Sequence, residues 1–517
     1  MIKRVQYALI IAFTVSVSLL GGKNIGLTKE IDNQRECVVC EVEAYVENDN
    51  GEEAAEGLTI GYTDSFWVDE KETVYFLETY ENKVLEVTRK KMKEIFLSDS
   101  VLPADIVSVR DKLVIFDDLL FELQIYTKQG ELLARQKVSL QEDYVKQLLC
   151  VKQEVFLPTH KGRWYLVDQE TAQTKLLEEK KVPELHIGDY SYAEYVDTDE
   201  DGTVYSVYTS LVEKCSVISG ELTLRAVSEE GQPVGEYVLP VKEYMYLPDR
   251  YVQVHQNGNI YMMVPSKETV EIRKISLQSP TESVMTELAK EAKDLQITYK
   301  SKTKSRQSSG ISCTEEVAFS REEARERAFA MAYCEWTLKK THTNTAKAEK
   351  GVTLPREIAY QKALHTGESS WRVTMTGLPY CWGGFYALDT GYSGKTFESM
   401  LSKADCVTGN INPSGNLKYL TVGVDCSGYA GAVLGFSKKY NTSALSDIGF
   451  GVTDINDLKQ MDIFVYPGEH VIFFSEWIED GVALVCEAAV REGKVVVHPK
   501  SINEFVISRS YQMRSPW

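Results

Sequence analysis

The stretch Gly423-Val424-Asp425-Cys426-Ser427-Gly428-Tyr429-Ala430-Gly431 sets a cysteine between glycines, ahead of a run of small and apolar residues at helical spacing. A nucleophilic cysteine acts as its thiolate, and a helix N-terminus favours that charge through its unpaired amides and the macrodipole. Asp425 is placed to cap such a helix. The same pattern also describes an inert core cysteine, so the argument rests on what accompanies it. Upstream is Gly377-Leu378-Pro379-Tyr380-Cys381-Trp382-Gly383-Gly384. Downstream, the strand-like Asp462–Tyr466 leads through Pro467-Gly468 to His470-Val471-Ile472-Phe473-Phe474. A further strand, Val482–Cys486, ends at Glu487. Acyl transfer needs a nucleophile, a base within its reach and a group that fixes the base's tautomer. Cys426, His470 and Glu487 are the residues of those types in that order. The hairpin arithmetic supports Glu487: a turn at Glu479-Asp480-Gly481 reverses the chain and returns the end of the second strand toward His470. His498, before Pro499, follows another reversal and is expected farther away, as the rival orienting group. The backbone amide of Cys426 is a natural oxyanion donor.

The order of the three motifs resembles the NlpC-type cell-wall cysteine peptidases, papain-like enzymes with a P-Y-x-W-G-G turn, a D-C-S-G nucleophile and a strand that begins H-V. The resemblance covers roughly the last third of the chain. It implies a papain-like α+β domain over 351–517 and hydrolysis of peptidoglycan stem peptides beside D-glutamate. It also implies a thiol–imidazole pair of Cys426 and His470, with Glu487 where the family places a His, Asn, Gln or acid. Tyr380 resembles the family tyrosine whose hydroxyl lies near the nucleophile and helps bind the oxyanion, although between Pro379 and Trp382 it also reads as packing. Trp382, Asp425 and Ser427 join it as residues expected around the substrate or the oxyanion. Simple members join the W-G-G turn to the nucleophile by a short loop, whereas here Phe385 to Val424 intervene. Gly391, Gly394, Gly409, Asn410, Asn412, Pro413 and Gly415 make this a structured surface excursion that walls one side of the cleft. The reading from a different class is a surface binding protein whose papain-like domain is inactive.

The elements that must carry this chemistry form more than one core, since 517 residues imply two or three domains. A formal net charge of −19 argues against nucleic acid and against electrostatic adhesion to anionic wall polymers or lipids. Lys3 and Arg4 precede an uncharged run from Val5 to Gly22, so residues 1–22 read as a signal peptide or membrane anchor and the protein as extracellular or cell-surface. An acidic leader, 23–56, follows. From 57 to 280 the chain reads as all-β, with strand cores at Val74-Tyr75, Val114-Ile115, Val155-Phe156, Val204-Tyr205 and Ile260-Tyr261, successively 40, 41, 49 and 56 residues apart. Such repeats suggest β-propeller blades, five to seven of them with six favoured, and no signature names the propeller's ligand. Residues 197–202, Asp-Thr-Asp-Glu-Asp-Gly, match the first half of a calcium loop, but Tyr208 stands where its closing Glu belongs, and a hairpin turn is the better reading. Cys37-Val38-Val39-Cys40 has no second pair at zinc spacing, so it reads as a small disulfide loop or two thiols. No metal or other cofactor is implied. Residues 281–350 form a bridge. It comprises a helix at 281–295, a basic flexible linker at 300–310 and a helix opened by the capping box Ser320-Arg321-Glu322-Glu323. Propeller and peptidase are expected to fold separately on either side of the linker.

Overall fold

A computed structural model describes residues 25–26, 36–45 and 58–59 and, with short interruptions, 63–177, 191–278 and 313–517. The expected signal segment, the 281–295 helix and the 300–310 linker lie outside the described residues. Among the described residues no helix is long and apolar enough to cross a membrane.

The first half is a ring of five antiparallel sheets, a β-propeller. Four of the sheets are continuous in sequence, spanning 63–96, 103–137, 149–176 and 192–238. The fifth combines Val252–Val254, Ile260–Pro265 and Thr269–Ile275 with Glu36–Tyr45, far earlier in the chain. Among the described residues the ring has five sheets, within the expected five to seven, and part of the expected acidic leader is the strand that closes it. Its signal was present: Val38, Cys40 and Val42 alternate with less buried residues, the period of a half-buried strand. Cys37 and Cys40 are both free thiols on it. All five repeating strand cores are the second strand of their sheet, and all their residues are buried except the half-buried Phe156 and Val204.

Two of the hairpin turns have a common cause. Asp69 Oδ1 accepts from the amides of Lys71 and Thr73, and Asp199 Oδ1 accepts from those of Asp201 and Thr203. Asp199 Oδ2 is taken by the Tyr205 hydroxyl, so the calcium-like stretch is a self-satisfied hairpin turn. Asp105 ties the ring together. Its carboxylate accepts from Ser65 Oγ in the first sheet, from Leu148 N ahead of the third, and from the Arg250 guanidinium beside the fifth.

In the second half, five antiparallel strands lie in the order Gln512–Ser515, Ile463–Tyr466, His470–Glu479, Val482–Ala489, Lys494–Ser501. The fully buried helix Cys426–Leu434 packs on the middle of this sheet, giving an α+β arrangement. Helix Arg321–Tyr333 covers it, opened by the expected capping box: Ser320 Oγ accepts from Glu323 N (3.2 Å) and Glu323 Oε2 from Ser320 N (2.8 Å). Ala324, Ala328, Met331 and Ala332 are buried, whereas Ala330 and Tyr333 are exposed. Trp336 lies beyond the helix on Glu335–Lys339, its indole N–H donating to Gly377 O at 2.8 Å.

The two halves bury surface against each other. Val217 of the fourth propeller sheet pairs with Gln512, joining that sheet to the C-terminal one. One apolar core holds Leu222, Leu224 and Val252 from the propeller together with Phe464, Ile472 and Phe505. A composition break marks a covalent linker, but it says nothing about whether the parts it joins bury surface against each other.

Candidate active site

The site is assembled from the helix N-terminus, the turn before it and three strands. Asp425 is the N-cap, with extended backbone, and its Oδ1 accepts from Gly428 N at 2.7 Å and from Ser427 Oγ at 3.1 Å. Its Oδ2 accepts from Gly383 N at 2.9 Å, which ties the W-G-G turn to the helix. Lys439 Nζ lies 3.0 Å from Asp425 Oδ2 and donates to Ser427 Oγ at 2.9 Å. Asp425 and Ser427 thus hold the helix start and its neighbours in place. Gly428 and Gly384 allow the close approach, for a Cβ on Gly428 would lie 1.9 Å from Gly384 O.

Cys426 is the first helical residue, 6% exposed, so its amide is among the N–H groups that lack an intrahelical acceptor. Its Sγ lies 3.9 Å from Glu469 O, next to His470. Tyr380 is buried beside it. Burial first, then the nearby Cys426 and Asp425 charges, push the phenol well above its ordinary value, so it stays a neutral donor. The Tyr380 backbone is fixed between Gly493 O and Asn410 N, and Trp382 N donates to Asn410 O. Cys381 is fully buried, and burial raises its thiol to about 12, which makes it a poor nucleophile.

His470 opens its strand and reaches both partners. Its Nε2 contacts Glu487 Oε2, which leaves Nδ1 for the hydrogen bond with Cys426. Burial opposes a charged ring, yet hydrogen bonding to Cys426 and Glu487 outweighs it and raises the imidazole from 6.5 to about 10. At neutral pH the ring is an imidazolium. Glu487, 3% exposed, is held well below the usual carboxylate range despite that burial, by Lys500, His470 and His498. His498 Nε2 lies 2.7 Å from Glu487 Oε1, and Lys500 Nζ lies 3.5 Å from the same oxygen.

Strand register explains the grouping. Phe473 pairs with Cys486 and Glu487 with Val496, so Glu487 is a diagonal, same-face neighbour of both His470 and His498. His498 is therefore not remote: it stands on the far side of Glu487 and reaches His470 through it. Sequence reasoning missed Lys500 and Lys439. Val496, His498 and Lys500 share a face by strand alternation, so Lys500 was recoverable; nothing in local pattern points to Lys439. A cavity of about 480 Å³ adjoins the site through Lys439 and is not lined by Cys426, His470 or Glu487. Phe385, Tyr392 and Ser393 of the long excursion line one side, and Lys438, Lys439 and Tyr440 the other.

No protein-family model matches the chain, and no curated protein matches it. Solved structures similar to it include a streptogramin B lyase, at 12% identity over 52% of this chain and 96% of the other, with a TM-score of 0.28. A catalytically inactive virginiamycin B lyase from Staphylococcus aureus with quinupristin is 9% identical over 51% of this chain and 99% of its own, with a TM-score of 0.30. BamB from Moraxella catarrhalis is 10% identical over 52% of this chain and 100% of its own, with a TM-score of 0.27. Likenesses this distant transfer no activity.

Proposed function

We propose that this protein is an exported cell-wall hydrolase of the NlpC type, which cleaves amide bonds in peptidoglycan stem peptides beside D-glutamate. The observation that carries the reading is the series Cys426–His470–Glu487, with the cysteine at a helix N-terminus and the carboxylate buried against the imidazole. The Cys426 thiolate attacks the amide carbonyl, and the charge that develops on oxygen meets the Cys426 amide and the neutral Tyr380 hydroxyl. The imidazolium proton on Nδ1 passes to the leaving amine as the C–N bond breaks, leaving a thioester. The neutral ring then takes a proton from water, whose oxygen attacks the thioester; the C–S bond breaks, the acid leaves and Cys426 returns as the thiolate beside the imidazolium. Glu487 holds the ring by Nε2 throughout, so Nδ1 always faces the sulfur. The uncharged run after Lys3 and Arg4 is the basis for export, as a secreted or membrane-tethered protein.

The test is incubation of the full chain, and of its Cys426→Ala form, with defined muropeptides, reading products by mass. Cleavage by the parent and none by the variant is expected. Intact muropeptides with the parent, or equal cleavage by both, would refute the proposal.

A further inference from the structure

The three strands that carry His470, Glu487 and His498 are gripped by the propeller at both ends. At one end Glu479, which closes the hairpin between His470–Glu479 and Val482–Ala489, meets His160 Nδ1 at 2.6 Å and Lys146 Nζ at 2.6 Å. At the other end, the turn from Val490 to Gly493 joins the strand of Glu487 to the strand of His498. Arg491 on this turn reaches into the ring: Nη1 donates to Asp249 Oδ1 at 3.2 Å and Nη2 to Asp249 Oδ2 at 2.5 Å, with Asp64 Oδ2 3.6 Å away. Asp64 lies on the first propeller sheet and Asp249 just before the fifth, and Arg250 N donates to Asp64 O at 3.0 Å, so the guanidinium sits on the seam where the ring closes. The same turn touches the nucleophile side, because Gly493 O accepts from Tyr380 N at 2.7 Å and Pro379 bridges to Lys494.

We propose that Arg491 is a positioning residue through which the propeller holds Glu487 against His470, so that the propeller is part of the active site's framework rather than a spacer. Glu487 lies two residues before the end of its strand, and the turn that follows has its guanidinium fixed by a paired, two-bond contact to Asp249. Such a fork fixes orientation as well as distance, which a point charge does not. The charged groups around Arg491 include Asp249, Asp64, Glu492 and Asp118, all acidic. Removing the guanidinium therefore releases the turn and leaves carboxylates repelling one another beside it. The released strand end lets the Glu487 carboxylate drift from Nε2, and a displacement of about an ångström in such a relay costs up to about a hundredfold in rate.

The inference rests on the reading of Cys426, His470 and Glu487 as a reactive set, and its test needs no substrate. Full-length Arg491→Met, Arg491→Lys, Asp249→Asn and the Arg491→Met/Asp249→Asn double variant are treated with iodoacetamide, and alkylation of Cys426 is followed by mass spectrometry. Thermal unfolding confirms that each variant is folded, and Asp249→Asn serves if Arg491→Met is not. A thiolate stabilised by the imidazolium reacts at about pH 6, whereas at about pH 9 ordinary thiols react as well. Arg491→Met and Asp249→Asn are each expected to lower the rate at about pH 6 roughly tenfold, with little change at about pH 9. Arg491→Lys recovers part of the loss, and the double variant loses no more than the worse single. Unchanged rates at about pH 6 in folded single variants, or losses that multiply in the double, would overturn this inference alone. A parent Cys426 that reacts at about pH 6 no faster than in the urea-unfolded chain would overturn the reactive pair, and this inference with it.

Discussion

Replacing Glu487 by Gln tests the site at its most informative atom, since it keeps shape and removes charge. The rise of the His470 imidazole from 6.5 to about 10 corresponds to about 5 kcal/mol of preference for the protonated ring. Cys426 and Glu487 supply that preference against burial. An equal division gives Glu487 at least about 2.5 kcal/mol, since burial must also be overcome, and its loss would bring the ring down to about 8 or below. Because the imidazolium must protonate the leaving amine, the alkaline limb of kcat/KM on a stem peptide should move down by about the same amount. At about pH 9 the parent ring remains mostly charged and the variant ring mostly neutral, so activity should fall about tenfold beyond any loss at about pH 7. The linkage to stability has the matching sign. The raised imidazole stabilises the fold fully below 6.5, and that contribution is lost as pH climbs through about 10. The depressed Glu487 carboxyl contributes above 4.5, and its share is lost as pH falls through its lower folded value. Urea midpoints for the parent should therefore decline on both sides, and Glu487→Gln should flatten both declines. An alkaline limb that stays in place in Glu487→Gln would refute the account of how the ring is charged.

Three further outcomes follow from the geometry. His498→Ala leaves Lys500 to hold Glu487 Oε1, so its kcat/KM should fall by less than that of Glu487→Gln; a larger loss would make His498 the principal orienting group. Gly428→Ala drives a Cβ to 1.9 Å from Gly384 O, a backbone atom, so the helix must part from the W-G-G turn. A lower melting temperature, by about 1–3 kcal/mol equivalent, and loss of turnover are expected together, and a stable, active variant would contradict the packing. Arg250→Met strands the buried Asp105 carboxylate that ties three other sheets of the ring, and should lower unfolding free energy by about 3–5 kcal/mol in urea titrations; a change under about 1 kcal/mol would mean the ring closes without it.

What was legible in the chain follows from which forces act locally. The second strand of each propeller sheet announced itself by its apolar core, and the turn at Asp199 because an Asp capping its own turn is a short-range device. The capping box at Ser320 was readable for the same reason. The closing strand Glu36–Tyr45 was legible as a strand but not as part of the ring, because its partner, Thr269–Ile275, lies more than two hundred residues away. Docking of the two halves was hidden more deeply. Arg491 with Asp249, and Glu479 with Lys146 and His160, are ordinary polar residues in sequence, and only the fold brings them together.

The choice posed in sequence between Glu487 and His498 rested on treating them as competitors. A lone carboxylate 3% exposed would take up a proton rather than remain charged, because removing it from water costs several kcal/mol. Glu487 stays charged because its two oxygens are divided, one facing His470 and the other facing His498 and Lys500. Burial opposes charge on His498 too, yet the bond to Glu487 raises it, and Lys500 is further anchored by Glu504 at 2.8 Å. The carboxylate can orient His470 only because the second histidine and the lysine neutralise its other face. A neutral orienting amide at this position would have needed neither, so His498 and Lys500 are what the use of an acid here requires.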